Sequence, residues 1–252
     1  MKKLIDIAYT SEISSAICTI AEVKGSAPRR VGAKMLVFEN GEIHGTIGGG
    51  NLEKVVIENA IIQINKNETL LFTHDLLGHH NMCCGGVVKI FIEPIMKTNK
   101  LYIFGAGHTG KALSRIMTEL NFNTYIIDDR KKYIDKITDE KVNKINLSYK
   151  EILPTLPFDK NTFITIMTYE HSHDKDILSY CLKKDFAYLG MIGSKRKVSL
   201  TKKMFIDGDI CKKEEIKKVD MPMGIDINAE GPEEIAISIA SKIIAIKNKY
   251  QL

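Results

Sequence analysis

The run Leu101-Tyr102-Ile103-Phe104-Gly105-Ala106-Gly107-His108-Thr109-Gly110 places four apolar residues directly before a G-x-G-x-x-G turn. The pattern is weak alone and specific in this setting, because a strand precedes it and a helix from about Thr109 to Leu120 follows. Gly105 suits the tight turn, Gly107 lets backbone come close to a pyrophosphate, and Gly110 lets the helix pack on the strand. The helix start then offers free N–H groups to anionic oxygens, with His108 inside the motif. Asn123 to Ile127 reads as the next strand and ends at Asp128, 23 residues after Gly105, where a ribose-binding acid is expected. Arg130 either meets a 2′-phosphate or pairs with a surface acid. A Rossmann fold that holds no nucleotide stays open.

Working outward, Thr162 to Met167 and Phe186 to Met191 are further strands, each followed by a helical stretch. Pro232 opens a last helix running towards Lys249, and Glu233 and Glu234 suit its dipole. Alternating strand and helix predicts a parallel sheet wrapped by helices. Ligands of such sheets bind beyond the carboxyl ends of the strands. Two segments fall there. In Met167-Thr168-Tyr169-Glu170-His171-Ser172-His173-Asp174, two histidines two apart cannot share a helix face but can converge on a loop. They offer ligand, metal or proton-transfer contacts, or else face solvent beside a cap supplied by Ser172 or Asp174. In Gly193-Ser194-Lys195-Arg196-Lys197, Ser194 is an N-cap and basic residues fill the first turn, against the helix dipole. An anion held by Gly193, Ser194, Lys195 and Arg196 would resolve that conflict; otherwise the long side chains point to water. Asp226 and Asn228 in Gly224-Ile225-Asp226-Ile227-Asn228 find no explanation in the sequence.

Residues 1–97 read as a separate α+β domain, joined to a Rossmann-like domain over residues 98–252 by the polar stretch Met96 to Lys100. Strands are predicted at Ile13 to Val23, Lys34 to Phe38, Thr69 to Thr73 and Val87 to Ile92, with a hairpin turn at Glu39 to Glu42. Glu93-Pro94 should end the last strand, because proline cannot donate to a ladder. Leu52 to Ile64 has helical apolar spacing. Residues 1–97 carry ten basic and ten acidic side chains, so the whole formal charge of +5 lies in the second domain. That surplus fits lysine-rich solvated helices or an anionic ligand.

Three glycine-bearing stretches mark the first domain. Gly25 to Lys34 carries Arg29 and Arg30. Gly45-Thr46-Ile47-Gly48-Gly49-Gly50-Asn51 enters the helix, and its backbone amides can cradle an anion. Leu77-Gly78-His79-His80-Asn81-Met82-Cys83-Cys84-Gly85-Gly86 joins histidines, cysteines and glycines. Adjacent cysteines suit one structural zinc poorly. The turn either exposes a thiolate to a soft metal or to sulfur transfer, or it buries small residues between two strands.

The chain of 252 residues is long enough for a real core, and 44% hydrophobic with 27% charged residues fits an ordered globular protein. Mean hydropathy is -0.09. No apolar run reaches the roughly 18 residues of a membrane span, and no signal peptide is evident at Met1 to Asp6. The five cysteines are odd in number and mostly scattered, so a reducing cytoplasm is the expected setting. The modest charge does not imply nucleic acid.

Taken together, the segments GSAPRRVGAKMLV, GTIGGGNLE, MCCGGVVKIFIEP, LYIFGAGHTGKAL, IIDDR, MTYEHSHDKDIL, GMIGSKRK and GIDINAEGPEEIAISI resemble the XdhC/CoxI family, accessory factors of xanthine dehydrogenase and related molybdenum hydroxylases. The resemblance covers nearly the whole chain. It implies a cofactor chaperone that binds the molybdenum cofactor (molybdopterin), protects it while a cysteine desulfurase supplies the terminal sulfido ligand, and delivers it to the apo-hydroxylase. It implies Cys83, Cys84, Gly85 and Gly86 as the sulfur- or molybdenum-proximal turn, with Gly105, Gly107, Gly110 and Asp128 in a nucleotide-like fold and Gly193 to Arg196 as a second anion site. Some relatives carry cysteine where this chain has Asn51, which shifts weight to Cys83 and Cys84. Competing readings are an NAD(P)-dependent oxidoreductase, with His171 or His173 as acid–base group, and a binding module gated by a nucleotide. A homodimer is expected from the general frequency of two-fold assemblies.

Overall fold

The computed structural model describes residues 2–11, 13–78 and 85–249. Cys83 and Cys84, with His79 to Met82, lie outside the described residues. The chain divides into two compact units, Met1–Lys97 and Thr98–Tyr250.

The first unit runs α1 (Lys2–Thr10), β1 (Ser15–Lys24), β2 (Lys34–Phe38), β3 (Ile43–Gly45), α2 (Gly50–Lys66), β4 (Leu70–Asp75) and β5 (Val87–Ile95). Its antiparallel sheet has the order β3-β2-β1-β5-β4. Helix α2 buries Leu52, Val56, Ala60, Gln63 and Ile64, one stripe at helical spacing, against one face of the sheet. It stops at Asn67, whose left-handed conformation (φ 53°) lets its N–H reach the Gln63 and Ile64 carbonyls. The other face carries Leu36 and Phe38, covered by Leu4, Ile7 and Ala8 of α1.

Strand β5 does not end at Glu93-Pro94. It continues to Ile95, with Pro94 opposite Ala16 of β1. On its other side β4 pairs only as far as Ile92, so the N–H that proline lacks is not missed there. Proline is tolerated because the strand is central along most of its length and an edge at its end.

The second unit runs β6 (Lys100–Phe104), α3 (His108–Glu119), β7 (Asn123–Ile127), α4 (Lys131–Ile134), β8 (Asn143–Ile145), α5 (Tyr149–Ile152), β9 (Thr162–Ile166), α6 (His171–Cys181), β10 (Tyr188–Met191), α7 (Lys195–Asp207), α8 (Lys213–Ile216) and α9 (Gly231–Lys249). All pairings are parallel and the strand order is β10-β9-β6-β7-β8. Side chains of β6 alternate between two cores, as the pleat requires. Leu101 and Ile103 meet Leu113 and Met117 of α3 and Ile239 and Ile243 of α9. Tyr102 and Phe104 meet Ile177 and Leu178 of α6 and Val198 and Phe205 of α7. The order reverses between β6 and β9, and that switch point puts the ends of those two strands at the ligand-binding crevice of this fold. The architecture is therefore mixed α/β: an α+β unit followed by a Rossmann-like one. Among the described residues, no helix is long and apolar enough to cross a membrane.

Candidate functional site

The glycine turn sits at the switch point. Gly105 adopts φ +115°, and a Cβ there would lie 2.3 Å from the Met167 carbonyl oxygen at the end of β9. Gly110 carries the same constraint, since its Cβ would lie 2.0 Å from the Gly105 oxygen. Only glycine lets strand, turn and helix come this close. Gly107 differs: a Cβ there would meet nothing within 4 Å. It is the N-cap of α3 and gives no side-chain cap, so no side chain occupies the first amides of the helix. His108 lines a groove of about 500 Å³ between α3 and α9 with Lys111, Arg115 and Glu233.

Asp128 is fully buried and its carboxylate is filled from inside. Oδ2 accepts from the Ala106 N–H (2.7 Å) and Arg130 Nη2 (2.8 Å); Oδ1 accepts from the Arg130 N–H and Nε, both 2.9 Å. Burial pushes this carboxyl up, but the Arg130 guanidinium and the two amides outweigh it and hold it below the usual range. All four lone-pair positions are used, so as arranged Asp128 locks the turn to Arg130 and has none left for a ribose hydroxyl. Arg130 in turn lies between two rings, 4.0 Å from the Tyr133 centroid and 3.9 Å from that of Tyr169. The Tyr169 hydroxyl donates to Asp129 Oδ2 at 3.0 Å and lies 3.1 Å from His173 Nε2. Beside this cluster, Asp129 Oδ1 and the Tyr149 hydroxyl are buried without a partner among the described residues.

His171 and His173 are not on a loop. Both belong to the first turn of α6, so they diverge: His173 packs against Tyr149 and Tyr169, while the exposed His171 reaches the edge of another cavity. The helix forms over this stretch because Asp174 anchors the preceding turn. Its Oδ1 accepts from the Thr168 N–H (3.0 Å) and hydroxyl (2.6 Å), and Oδ2 accepts from Lys197 Nζ at 2.6 Å. Asp174 is 1% exposed. Ser194 caps α7 by accepting from the Lys197 N–H, and Gly193 leaves room for the Lys197 stem. A cavity of about 530 Å³ lies between α6 and α7, lined by Asp174, Lys175, Arg196 and Lys197 and by the apolar Met191, Leu200 and Met204. Lys195 does not line it and faces solvent.

In the first unit the three glycine stretches meet at one edge. Ser26 bridges Gly85, a Cβ on Gly25 would lie 3.3 Å from Gly86 Cα, and Pro28 packs on Gly48. Arg29 and Arg30 are exposed on this edge and form no ion pair with the described residues. The amides of the triple-glycine stretch already hold an anion of the chain itself. Glu53 Oε1 accepts from the N–H groups of Ile47 (2.9 Å), Gly48 (3.2 Å) and Gly49 (2.9 Å) and from the Thr46 hydroxyl. Burial raises the Glu53 carboxyl, and these donors together bring it below the usual range. Gly50 opens α2 just beyond the nest.

In the described members of the five cysteines, the surroundings disfavour the thiolate. Burial pushes Cys18 and Cys181 up to about 12, and it raises Cys211 as well. Among the described residues no group of three His, Cys, Asp or Glu side chains comes together as a metal site.

Residues 101–243 match the family described as the XdhC Rossmann domain, and residues 9–75 match the XdhC and CoxI family. The chain belongs to the XdhC family. It is 29% identical over 240 residues to uncharacterized protein YqeB of Escherichia coli, covering 92% of this chain but spanning only 43% of that relative. It is 20% identical to a Bacillus subtilis protein named as a probable xanthine dehydrogenase subunit, over 98% of this chain and 97% of the other. A crystal structure described as a xanthine dehydrogenase from Bacillus halodurans shares the fold with a TM-score of 0.54, at 21% identity over 98% of this chain and 95% of that one.

In this XdhC chain the sequence motifs fall on turns and helix starts of the structure, while the groups that fill those turns are less visible in sequence. Glu53 is the clearest such case; its signal is an acid three residues inside a helix that opens on glycines, the position from which a carboxylate reaches back to free amides. Asp174 reads as a helix cap in sequence, yet its bonds go to the preceding turn and across to α7. Asp226 and Asn228 also find their place: Asn228 is left-handed (φ 53°) and its N–H donates to Asp226 Oδ1, a turn that needs no ligand.

Proposed function

We propose that this XdhC chain is an accessory factor that binds the molybdenum cofactor and assists its sulfuration and its insertion into xanthine dehydrogenase or a related molybdenum hydroxylase. The observation that carries this is the glycine turn: an uncapped helix start beside Gly107, with open space where a phosphate must approach. A phosphorylated pterin, or its dinucleotide form, fits that cradle through its phosphate oxygens. Its sulfur end needs a reactive thiolate, and the described cysteines are held protonated, which leaves Cys83 and Cys84 for that role. Arg29 and Arg30, without an ion pair among the described residues, add two cations on the edge where Gly85 and Gly86 meet Gly25 and Ser26. The family and the naming of the Bacillus subtilis relative support association with a xanthine dehydrogenase-type partner. A cysteine desulfurase as sulfur donor, a homodimer and a cytoplasmic setting complete the proposal.

The chain's own part in this is to hold the phosphate at the α3 amides and keep the cargo from water until transfer. Asp128 acts here by fixing Ala106 and Arg130, not by reading a ribose. A nicotinamide nucleotide would meet no free carboxylate at that position, which speaks against an oxidoreductase. The test is to produce the chain in a molybdenum-replete host with an intact cofactor pathway and identify its bound small molecules by mass spectrometry. Molybdopterin should co-purify, and Cys83→Ala or Cys84→Ala should impair hydroxylase activation. A protein that carries no molybdopterin but binds NADH or NADPH in a fluorescence titration overturns the proposal.

A further inference from the structure

Between α6 and α7 the second unit has a cavity that shares no lining residue with the glycine turn. Its volume, about 530 Å³, is that of a small-molecule site. Three cations line it, Lys175, Arg196 and Lys197, against one buried carboxylate, Asp174. Lys197 is taken by Asp174 at 2.6 Å, so the pair is internally balanced. Arg196 and Lys175 form no ion pair or hydrogen bond through their side chains with the described residues, which leaves two positive charges uncompensated. Arg196 also stands in the first turn of α7, where the dipole disfavours a cation.

Thr201 supplies an independent sign. It is 4% exposed and lines the cavity, yet its hydroxyl has no hydrogen-bond partner among the described residues. A helical threonine ordinarily returns its hydroxyl to a carbonyl one turn back, and here the hydroxyl is left free to meet a group in the cavity. The apolar part of the lining is Met191 at the end of β10 with Leu200 and Met204, which follow Arg196 at four-residue steps along α7; Leu200 is 58% exposed. Cationic side, hydroxyl donor and apolar wall face one space.

We infer that this cavity is a binding site for a phosphate monoester carried on a flat or aliphatic apolar body. The dianion matches the two unpaired cations, the Thr201 hydroxyl donates to one of its oxygens, and the body covers Leu200 and Met204. The site stands apart from whatever the glycine turn holds. A carboxylate carries one charge and leaves one of the two cations unmatched.

Isothermal titration of the full chain with phenyl phosphate tests this, with methyl phosphate and benzoate as comparison ligands. Phenyl phosphate should bind more tightly than either. Arg196→Gln, at an exposed position, should weaken it at least tenfold, and the near-isosteric Thr201→Val severalfold, while Gly107→Ala leaves it unchanged. Absence of binding, equal binding of benzoate, or indifference to Arg196→Gln overturns the inference. Loss of phenyl phosphate binding in Gly107→Ala with retention in Arg196→Gln places the anion at the glycine turn, and overturns it too without touching the accessory-factor proposal.

Discussion

At the residue scale, two glycines of one motif have opposite jobs. Gly110→Ala sets a methyl group 2.0 Å from the Gly105 oxygen, which backbone cannot avoid. Overpacking of this kind costs about 1–3 kcal/mol, and we expect a clear fall in melting temperature for Gly110→Ala. Gly107→Ala meets nothing within 4 Å, so the fold should melt within about 0.5 kcal/mol of the parent. Its methyl group occupies the space a phosphate must enter, and molybdopterin retention should drop sharply. Equal thermal damage in both variants would remove the distinction. Glu53 offers a second residue-scale test. Its folded-state carboxyl titrates below its ordinary value of 4.5, so the ionised form stabilises the fold fully above that value and the contribution is lost as pH falls through the lowered one. Acid unfolding followed by circular dichroism should show a steeper loss of stability below about pH 4.5 in the parent than in Glu53→Gln. A parallel pH profile would mean the nest does not depend on the charge. The sequence makes the glycines legible because their freedom is intrinsic. It hides Asp128 and Glu53 because nothing in a carboxylate's identity says whether its lone pairs face a ligand or the chain.

At the element scale, the tie between the β9 turn and α7 is the feature to break. Asp174 bonds Thr168 on one side and Lys197 on the other, so it couples two strand ends of the parallel sheet. Removing one member of such a buried pair strands the other, at a cost of about 3–5 kcal/mol. Asp174→Ala and Lys197→Met should each destabilise strongly by denaturant unfolding, and the double variant should cost much less than their sum. Strict additivity would show that the two groups do not interact in solution. This tie also explains why the histidine stretch misleads in sequence. Two histidines two apart argue for a loop only if nothing nucleates a helix, and Asp174, from within α6, holds the turn on which that helix starts. The strands that carry long apolar runs, such as Leu101 to Phe104 and Thr162 to Ile166, are legible because burial on both faces demands such runs. The three-residue β8 and the short α4 and α5 are not, since so few residues carry no period. Helix α1 escapes for a related reason: its apolar stripe of Leu4, Ile7 and Ala8 is only two turns long.

At the scale of the whole molecule, the division of charge follows the division of structure. The surplus of +5 falls in residues 98–252, where Arg196, Lys175, Lys111 and Arg115 line the cavities described, whereas the balanced first unit offers only Arg29 and Arg30 on its glycine edge. The second unit has a complete parallel sheet with a core on each face, both built from its own residues. Such a unit has what it needs to fold alone. Residues 98–252 expressed by themselves should therefore unfold in a single cooperative transition. They should also keep phenyl phosphate binding at the parent's affinity, because every residue lining that cavity lies within them. Hydroxylase activation should be lost from this fragment, since Cys83, Cys84 and the glycine edge are absent from it. A fragment that folds and binds but still activates would take the sulfur chemistry away from the first unit. A fragment that folds without binding would mean that the cavity depends on residues outside its own lining.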